Sequence, residues 1–449
     1  MTERTLIKNI SIVNEGQIIL SDILIDNGVI LKIGRLADIT NSNIIDGTGK
    51  YLFPGIIDGQ VHFREPGLTH KGDLHSESRA AVAGGVTSFI DMPNTFPNVM
   101  TIDILNEKYQ IASEKSLANY GFFLGVNGDN LDYVINLDTS KLLAVSDDGL
   151  YFTQKGNLLA DNPETMEKLF ANCKSIIAIH SEKEQIVEEN ENIYREKYGD
   201  NVPIELHPII RSEKACYEAT KRAIDLANKH KARLHILHLT TEAETHLFRN
   251  DIPLEEKNIT TEVSVHHLWF SDTDYKHLGT LIKWNPAIKT EKDKKGLLKA
   301  LLDDRIDLVT TDHAPHTLDE KQKSYFQAMS GAPIVQHSLN IMLELYKQGQ
   351  ISLEKIAEKM CHNPATLYKI ENRGFIREGY FADLSIVDLN SIWTVSKENI
   401  LSKCGWSPLD GTTFQTKVIH TFVNGNLVYD HGQFNLNAKG QPLTIKQNN

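Results

Sequence analysis

The stretch "GIIDGQVHFREPG", residues 55–67, begins as an apolar run and ends in a turn, with Asp58, Gln60, His62 and Arg64 between. Read as a strand, it puts Gln60, His62 and Arg64 on one face, because strand side chains alternate with a period of two. An imidazole beside a guanidinium at a strand end calls for a fold in which other strand ends meet them. Seven further apolar segments supply candidates: "VTSFIDM", "YGFFLGV", "LLAVSDD", "SIIAIH", "RLHILHL", "ITTEVSVHHL" and "IDLVTTDH". Amphipathic segments such as "DLHSESRAAVAGG", "NPETMEKLFANC", "SEKACYEATKRAIDLANKHK" and "EKDKKGLLKALLDDR" lie between most of them. Eight strands alternating with helices over roughly 300 residues predict an α/β fold, a (β/α)8 TIM barrel.

The flanks have a different texture. "TLIKNISIVN", "GQIILSDILIDNGVILKIG" and "NIIDGTGKYLFPG" read as short strands, with Asn27-Gly28 as a hairpin turn. "FADLSIVDL" and "KVIHTFVNGNLVYDHGQF" repeat that texture near the C-terminus, with a second Asn-Gly at 424–425. The expected organisation is a barrel over 54–374 and a small composite β-sandwich domain from both termini, 1–53 plus 375–449. Periodicity alone leaves the pairing of the two ends open, and the final "IKQNN" is expected to fray.

A hydrophobic fraction of 41% supports a real core, and the net charge of −12 argues against a general nucleic-acid binder. An anionic substrate would need a few local cations to capture it against that field. Cys173, Cys216, Cys361 and Cys404 form no CxxC pair, which suits buried thiols in a reducing compartment. The N-terminal "MTERTLIKNISIVNEG" lacks the apolar core of a signal peptide, and no run approaches the roughly 20 apolar residues of a membrane span. A soluble cytoplasmic protein is expected.

Polar residues gather where the eight segments end. The first ends in His62 and Arg64, the second in Asn94, the fourth in Asp147 and Asp148, the fifth in His180, the sixth in His238, and the eighth in Asp312 with His313 and His316 beyond. Taken singly, each has an ordinary reading: a histidine is more often hydrogen-bonded than a ligand, and Asp-Asp-Gly or Pro-Asn is a turn. Together, three histidines and two carboxylates at one barrel mouth form an N/O donor set for a divalent cation, most often zinc. His235 and His238 are an odd number apart, so on one strand they face opposite ways; the later one is taken as the ligand, and His235 as a core or supporting residue.

"DGQVHFREPG", "AAVAGGVTSFIDMPNT", "SDDG", "IHSEKE", "HILHLTT", "NPAIK" and "TTDHAPH" resemble dihydroorotases of the amidohydrolase superfamily, class I-like, in the right order over most of the chain. The resemblance implies reversible interconversion of (S)-dihydroorotate and N-carbamoyl-L-aspartate in pyrimidine biosynthesis. It implies metal ligands at His62, Asp148, His180, His238 and Asp312, and substrate contacts at Arg64, Asn94, Asn285, His316 and the backbone at Gly331. Zinc can lower the pKa of bound water toward roughly 7 and polarise a carbonyl. Asp312 would serve as general base and then general acid, and Arg64 as a planar fork for the substrate carboxylate. Where many relatives carry a carbamylated lysine, "LLAVSDDGL" offers Asp148.

The usual first-strand pattern of this family is His-x-His, and here Gln60 precedes His62. A carboxamide oxygen is a weak zinc ligand, which leaves two readings. In one, the chain holds one tight zinc and a second, weaker one, and catalysis survives. In the other, the barrel is a weak or inactive scaffold for a partner such as aspartate transcarbamoylase. A hydantoinase or allantoinase is the rival activity, but their substrates lack the ring carboxylate and would leave Arg64 without a role. The resemblance is compatible with a homo-oligomer and implies neither nucleic acid nor membrane as partner.

Overall fold

The computed structural model describes residues 4–37, 42–150, 159 and 162–446. Eight parallel strands occupy its centre: Ile56–Val61, Val86–Asp91, Asn119–Phe122 continued by Leu124–Gly125, Ala144–Ser146, Ile176–Ile179, Arg233–Ile236, Ile259–Ser264 and Leu308–Thr310. Each coincides with one of the eight apolar segments. The ring closes where Val61 bridges His313 and the His62 N–H donates to the His313 carbonyl at 2.8 Å. Helices connect the strands, and their starts are set locally. Asp73 caps Leu74–Ala83, Ser212 caps Glu213–His230 and Thr290 caps Glu291–Leu302, each side chain accepting from a first-turn N–H and each cap contributing about 1 kcal/mol.

The strands are buried on both faces because helices cover the outside and side chains fill the inside. Ile57, Ile90, Ala178, Leu237, Leu308 and Tyr368 pack into an interior apolar cluster beneath the mouth. Several polar groups in the barrel are paired: His235 contacts Thr260 Oγ1 at 2.8 Å and Glu262 Oε2 at 3.0 Å, and Thr311 Oγ1 donates to Asp58 at 2.6 Å. The dry surroundings raise the Asp58 carboxyl to about 7.

Strands from both ends of the chain interleave in a second, nine-stranded sheet. Tyr51–Pro54 lies between Arg4–Asn14 and Leu384–Asp388, antiparallel to the latter, and leads directly into the first barrel strand. Both Asn-Gly pairs form tight turns with positive φ at each residue, 50° and 85° at 27–28 and 50° and 76° at 424–425. The two turns abut, since a side chain on Gly425 would meet Gly28 Cα at 2.6 Å. The C-terminal segment then crosses to the barrel: Tyr120 donates to the Gln441 carbonyl, Leu443 to the Tyr120 carbonyl and Lys446 to the Lys369 carbonyl. The first two residues of "IKQNN", expected to fray, are therefore docked; the last three lie outside the described residues. Among the described residues no helix is long and apolar enough to cross a membrane.

Candidate metal centre and substrate mouth

Asp148 lies at the centre of the barrel mouth, two residues beyond the strand Ala144–Ser146, and is buried. Its neighbour Asp147 is taken up by the backbone: its carboxylate accepts from Leu159 N at 2.8 Å and His180 N at 3.1 Å. That leaves Asp148 alone to face the mouth. Asp148 Oδ1 is 3.7 Å from His180 Nδ1 and 3.8 Å from His238 Nε2, and those two nitrogens are 3.1 Å apart. Asp148 Oδ2 is 3.3 Å from His62 Nε2, which is 3.1 Å from Asp312 Oδ1. The five residues thus form two three-donor groups, Asp148–His180–His238 and His62–Asp148–Asp312, which share Asp148.

The donor set fits a metal. Two ligands roughly 2.0–2.1 Å from one tetrahedral ion stand roughly 3.3 Å apart, and the separations above bracket that value. The imidazoles are also turned correctly. His180 Nε2 is held by Glu182 Oε2 at 2.8 Å and His62 Nδ1 by Asn94 Oδ1 at 2.7 Å. If each outer nitrogen carries the proton, each inner one presents its lone pair. His238 Nδ1 and Gln60 Oε1 are buried without a hydrogen-bond partner.

Electrostatics carry the same message. Burial opposes charge on every ring here, yet the Asp148 and Asp312 carboxylates outweigh it at His62 and hold that ring up at about 10. Burial likewise opposes protonation of His238, and Asp148 overrides it, to about 9. Burial would raise Asp148, but His238 and His62 pull it well below the usual carboxylate range. Burial and the neighbouring His238 lower His180. Among the described residues no lysine or arginine pairs with Asp148 or Asp312. Two carboxylates in a dry site draw positive charge from the imidazoles, charge that a cation would supply.

Gln60 departs from the donor pattern in its contacts too. Its Nε2 donates to Asp148 Oδ2 at 3.1 Å, the oxygen that also faces His62. The amide therefore occupies a lone pair on the His62 side of Asp148 and leaves the His180–His238 side untouched.

The second part of the mouth lies alongside. Arg64 is buried, its Nε donating to the Pro315 carbonyl at 3.1 Å and one terminal nitrogen 3.0 Å from His316 Nε2. Lys71 Nζ is 3.1 Å from His316 Nδ1, and His316 Nε2 is also 3.0 Å from the Ser330 carbonyl. Burial, then Arg64, keeps His316 neutral. Ser330 Oγ donates to Asn285 Oδ1 at 3.1 Å, and Gly331 N donates to the Lys283 carbonyl. Gly331 has φ 116° and lies so close to Ala314 that a Cβ would meet its carbonyl oxygen at 2.8 Å. Every residue singled out from the sequence is thus at the mouth, in two hydrogen-bonded groups joined by His62–Arg64 and by Asp312–His316.

Two expectations are corrected. The first barrel strand ends at Val61, so alternation does not carry Arg64 onto the face of Gln60 and His62; Arg64 reaches the mouth through a left-handed backbone, φ 69°. Alternation does not relate His235 to His238, since the strand ends at Ile236 and His238, with φ 36°, lies beyond it beside His180. Several supporting groups escaped the sequence reading. Glu182 follows His180 at i+2 in "IHSEKE", the one available signal, and also binds Arg211. Lys71 had no local signal. Lys321, fully buried, gathers the carbonyls of Lys283, Met329 and Gly331 and so fixes the loop over the mouth.

The sequence profile described as "Amidohydrolase family" matches residues 51–428. A dihydroorotase of Methanosarcina acetivorans is 32% identical over 90% of this chain and 88% of its own length. One from Carboxydothermus hydrogenoformans is 33% identical over 94% and 96%. Among solved structures, an L-hydantoinase (dihydropyrimidinase) from Arthrobacter aurescens superposes with a TM-score of 0.91 at 25% identity, covering 99% of this chain and 100% of that one.

Proposed function

This chain belongs to the amidohydrolase family, and on that premise we propose that it is a dihydroorotase, interconverting (S)-dihydroorotate and N-carbamoyl-L-aspartate. The observation that carries the substrate is Arg64: a buried guanidinium, its plane fixed by Pro315 and His316, beside the metal-ready cluster. In a protein of net charge −12 it is a local cation suited to a carboxylate, whereas Lys71 is already paired with Glu320 at 2.9 Å.

Zinc is the ion proposed, with Asp148, His180 and His238 as the tighter set and His62, Asp148 and Asp312 as the weaker. The Gln60 amide on Asp148 Oδ2 supports that ranking. A bound divalent cation supplies an acidified water and a polarised carbonyl. The chain's own groups do the rest. Arg64 and Asn285 grip the substrate's carboxylate and amide, and His316, 3.0 Å from Arg64, steadies that guanidinium. Asn94 fixes His62, and Lys321 holds Gly331 over the ring. Asp312 takes the proton from the attacking water and returns it to the departing ring nitrogen, general base and then general acid. All these groups come from one chain, so turnover is expected without aspartate transcarbamoylase. The same reading assigns 54–374 to the barrel and 1–53 with 375–449 to the β domain, and the four free thiols suit the cytoplasm.

The likeness to L-hydantoinase favours a second reading, a cyclic amide hydrolase for rings without a carboxylate. The test is the zinc-loaded protein assayed in both directions, beside its Arg64→Met variant, on dihydroorotate and on hydantoin. Removing one partner of a buried charge pair costs about 3–5 kcal/mol, or roughly 10²- to 10⁴-fold in kcat/KM. That loss is expected on dihydroorotate. Folded, zinc-loaded protein that turns over hydantoin but not dihydroorotate would overturn the proposal in favour of the second reading.

A further inference from the structure

Far from the mouth, on the nine-stranded sheet, Lys417–Val423 pairs antiparallel with Asn426–Asp430. His420 and Asp430 are direct partners in that register, and His431 follows at the turn. His420 Nδ1 is 3.1 Å from Asp430 Oδ1, and the His420 and His431 rings meet edge-on at 4.8 Å and 88°. One ligand atom from each of the three residues lies within 4.8 Å of the others.

The contact is not an ordinary hydrogen bond. His420 is half-buried on its strand, while Asp430 is exposed. The 3.1 Å approach lies off the N–H direction and leaves Nδ1 without a hydrogen-bond partner. A nitrogen and a carboxylate oxygen at that separation match two ligands of one tetrahedral ion, which stand roughly 3.3 Å apart. His431 and Gly432, with φ 46° and 93°, form the two-residue turn between paired Asp430 and Gln433, which sets the third donor beside His420. The His431 N–H donates to the Ile419 carbonyl, so the residue stays against the strand that carries His420.

We propose that His420, Asp430 and His431 form a second metal site, a zinc clip across the C-terminal strands. Two imidazoles and a carboxylate are zinc donors. The exposed side of Asp430 leaves a fourth position to water. The clip is independent of the catalytic reading, since it shares no residue with the mouth and changes no group that touches substrate. It ties adjacent strands of the sheet, so the ion adds to the stability of that sheet by binding the folded form alone.

The test is equilibrium dialysis of the full chain against buffered zinc, with bound metal counted by elemental analysis. The wild type is compared with His431→Ala and with His420→Ala. His431 is exposed, so its variant should fold even if the half-buried His420 variant does not. The expected result is one zinc equivalent fewer in His431→Ala than in the wild type, with unchanged turnover of dihydroorotate and a smaller rise in Tm on adding zinc. Equal metal content in wild type and His431→Ala at every free zinc concentration overturns the site and leaves a plain surface cluster. Because the readout is metal content, the clip can fail while the catalytic assignment stands, and the reverse.

Discussion

Replacing Glu182 by Gln tests how the mouth prepares its ligands. Glu182 is buried and accepts from His180 Nε2 at 2.8 Å, which leaves His180 Nδ1 facing Asp148 and His238. Glutamine keeps the volume but removes the charge that makes the ring a stronger donor, and its amide can turn an N–H toward Nε2 and shift the proton to Nδ1. Loss of such an outer partner typically weakens metal binding about 10- to 100-fold, or about 1.4–2.7 kcal/mol. Arg211, paired to the same carboxylate, loses its charge partner as well. The assay is competition for zinc between the metal-free protein and a chelator at pH 7.5, with urea unfolding of the same samples as a control for folding. The expected outcome is weakened zinc affinity in a folded variant, with turnover restored at high zinc. Unchanged affinity would refute the reasoning, because His180 would then not depend on Glu182 for its tautomer or its basicity.

Gly149→Ala should damage the mouth from behind: the added Cβ would meet Asn94 Nδ2 at 2.1 Å, at a backbone φ of 72°. The left-handed conformation costs an alanine roughly 1–2 kcal/mol, while displacement of Asn94 from His62 should lower kcat/KM by about 10²-fold; activity within twofold of wild type would contradict the role given to Asn94. His337→Phe tests a buried titration. His337 stacks on Trp393 and Phe414 with neither ring nitrogen bonded, and burial pushes it down to about 3 from an ordinary 6.5. Below pH 6.5 the unfolded chain takes a proton that the folded one refuses, so this stability is present above 6.5 and lost as pH falls toward 3. Measured by urea unfolding, the variant's stability relative to wild type should improve by about 2 kcal/mol between pH 7 and pH 5; a pH-independent difference would contradict the assignment.

The barrel was legible because a strand buried on both faces must be apolar through its whole length, and eight such runs stood between amphipathic segments. The site was legible because its donors fall one or two residues past each run, at Asp148, His180, His238 and Asp312. Alternation failed at Arg64 and His238, where a left-handed residue ends the strand geometry on which it depends. The pairing of the two chain ends was illegible for another reason. Tyr51–Pro54 and Leu384–Asp388 meet across more than three hundred positions, and no local period records a partner so distant. Glu182 and Lys321 act by holding other groups, and a buried lysine bound to three carbonyls looks in sequence like any solvated one.

The most direct measurement is anomalous diffraction at the zinc edge from crystals grown with zinc and N-carbamoyl-L-aspartate. The stronger mouth peak is expected among Asp148, His180 and His238, any weaker one toward His62 and Asp312, and a ligand carboxylate against Arg64. A mouth without zinc, or a ligand whose carboxylate turns away from Arg64, would contradict it.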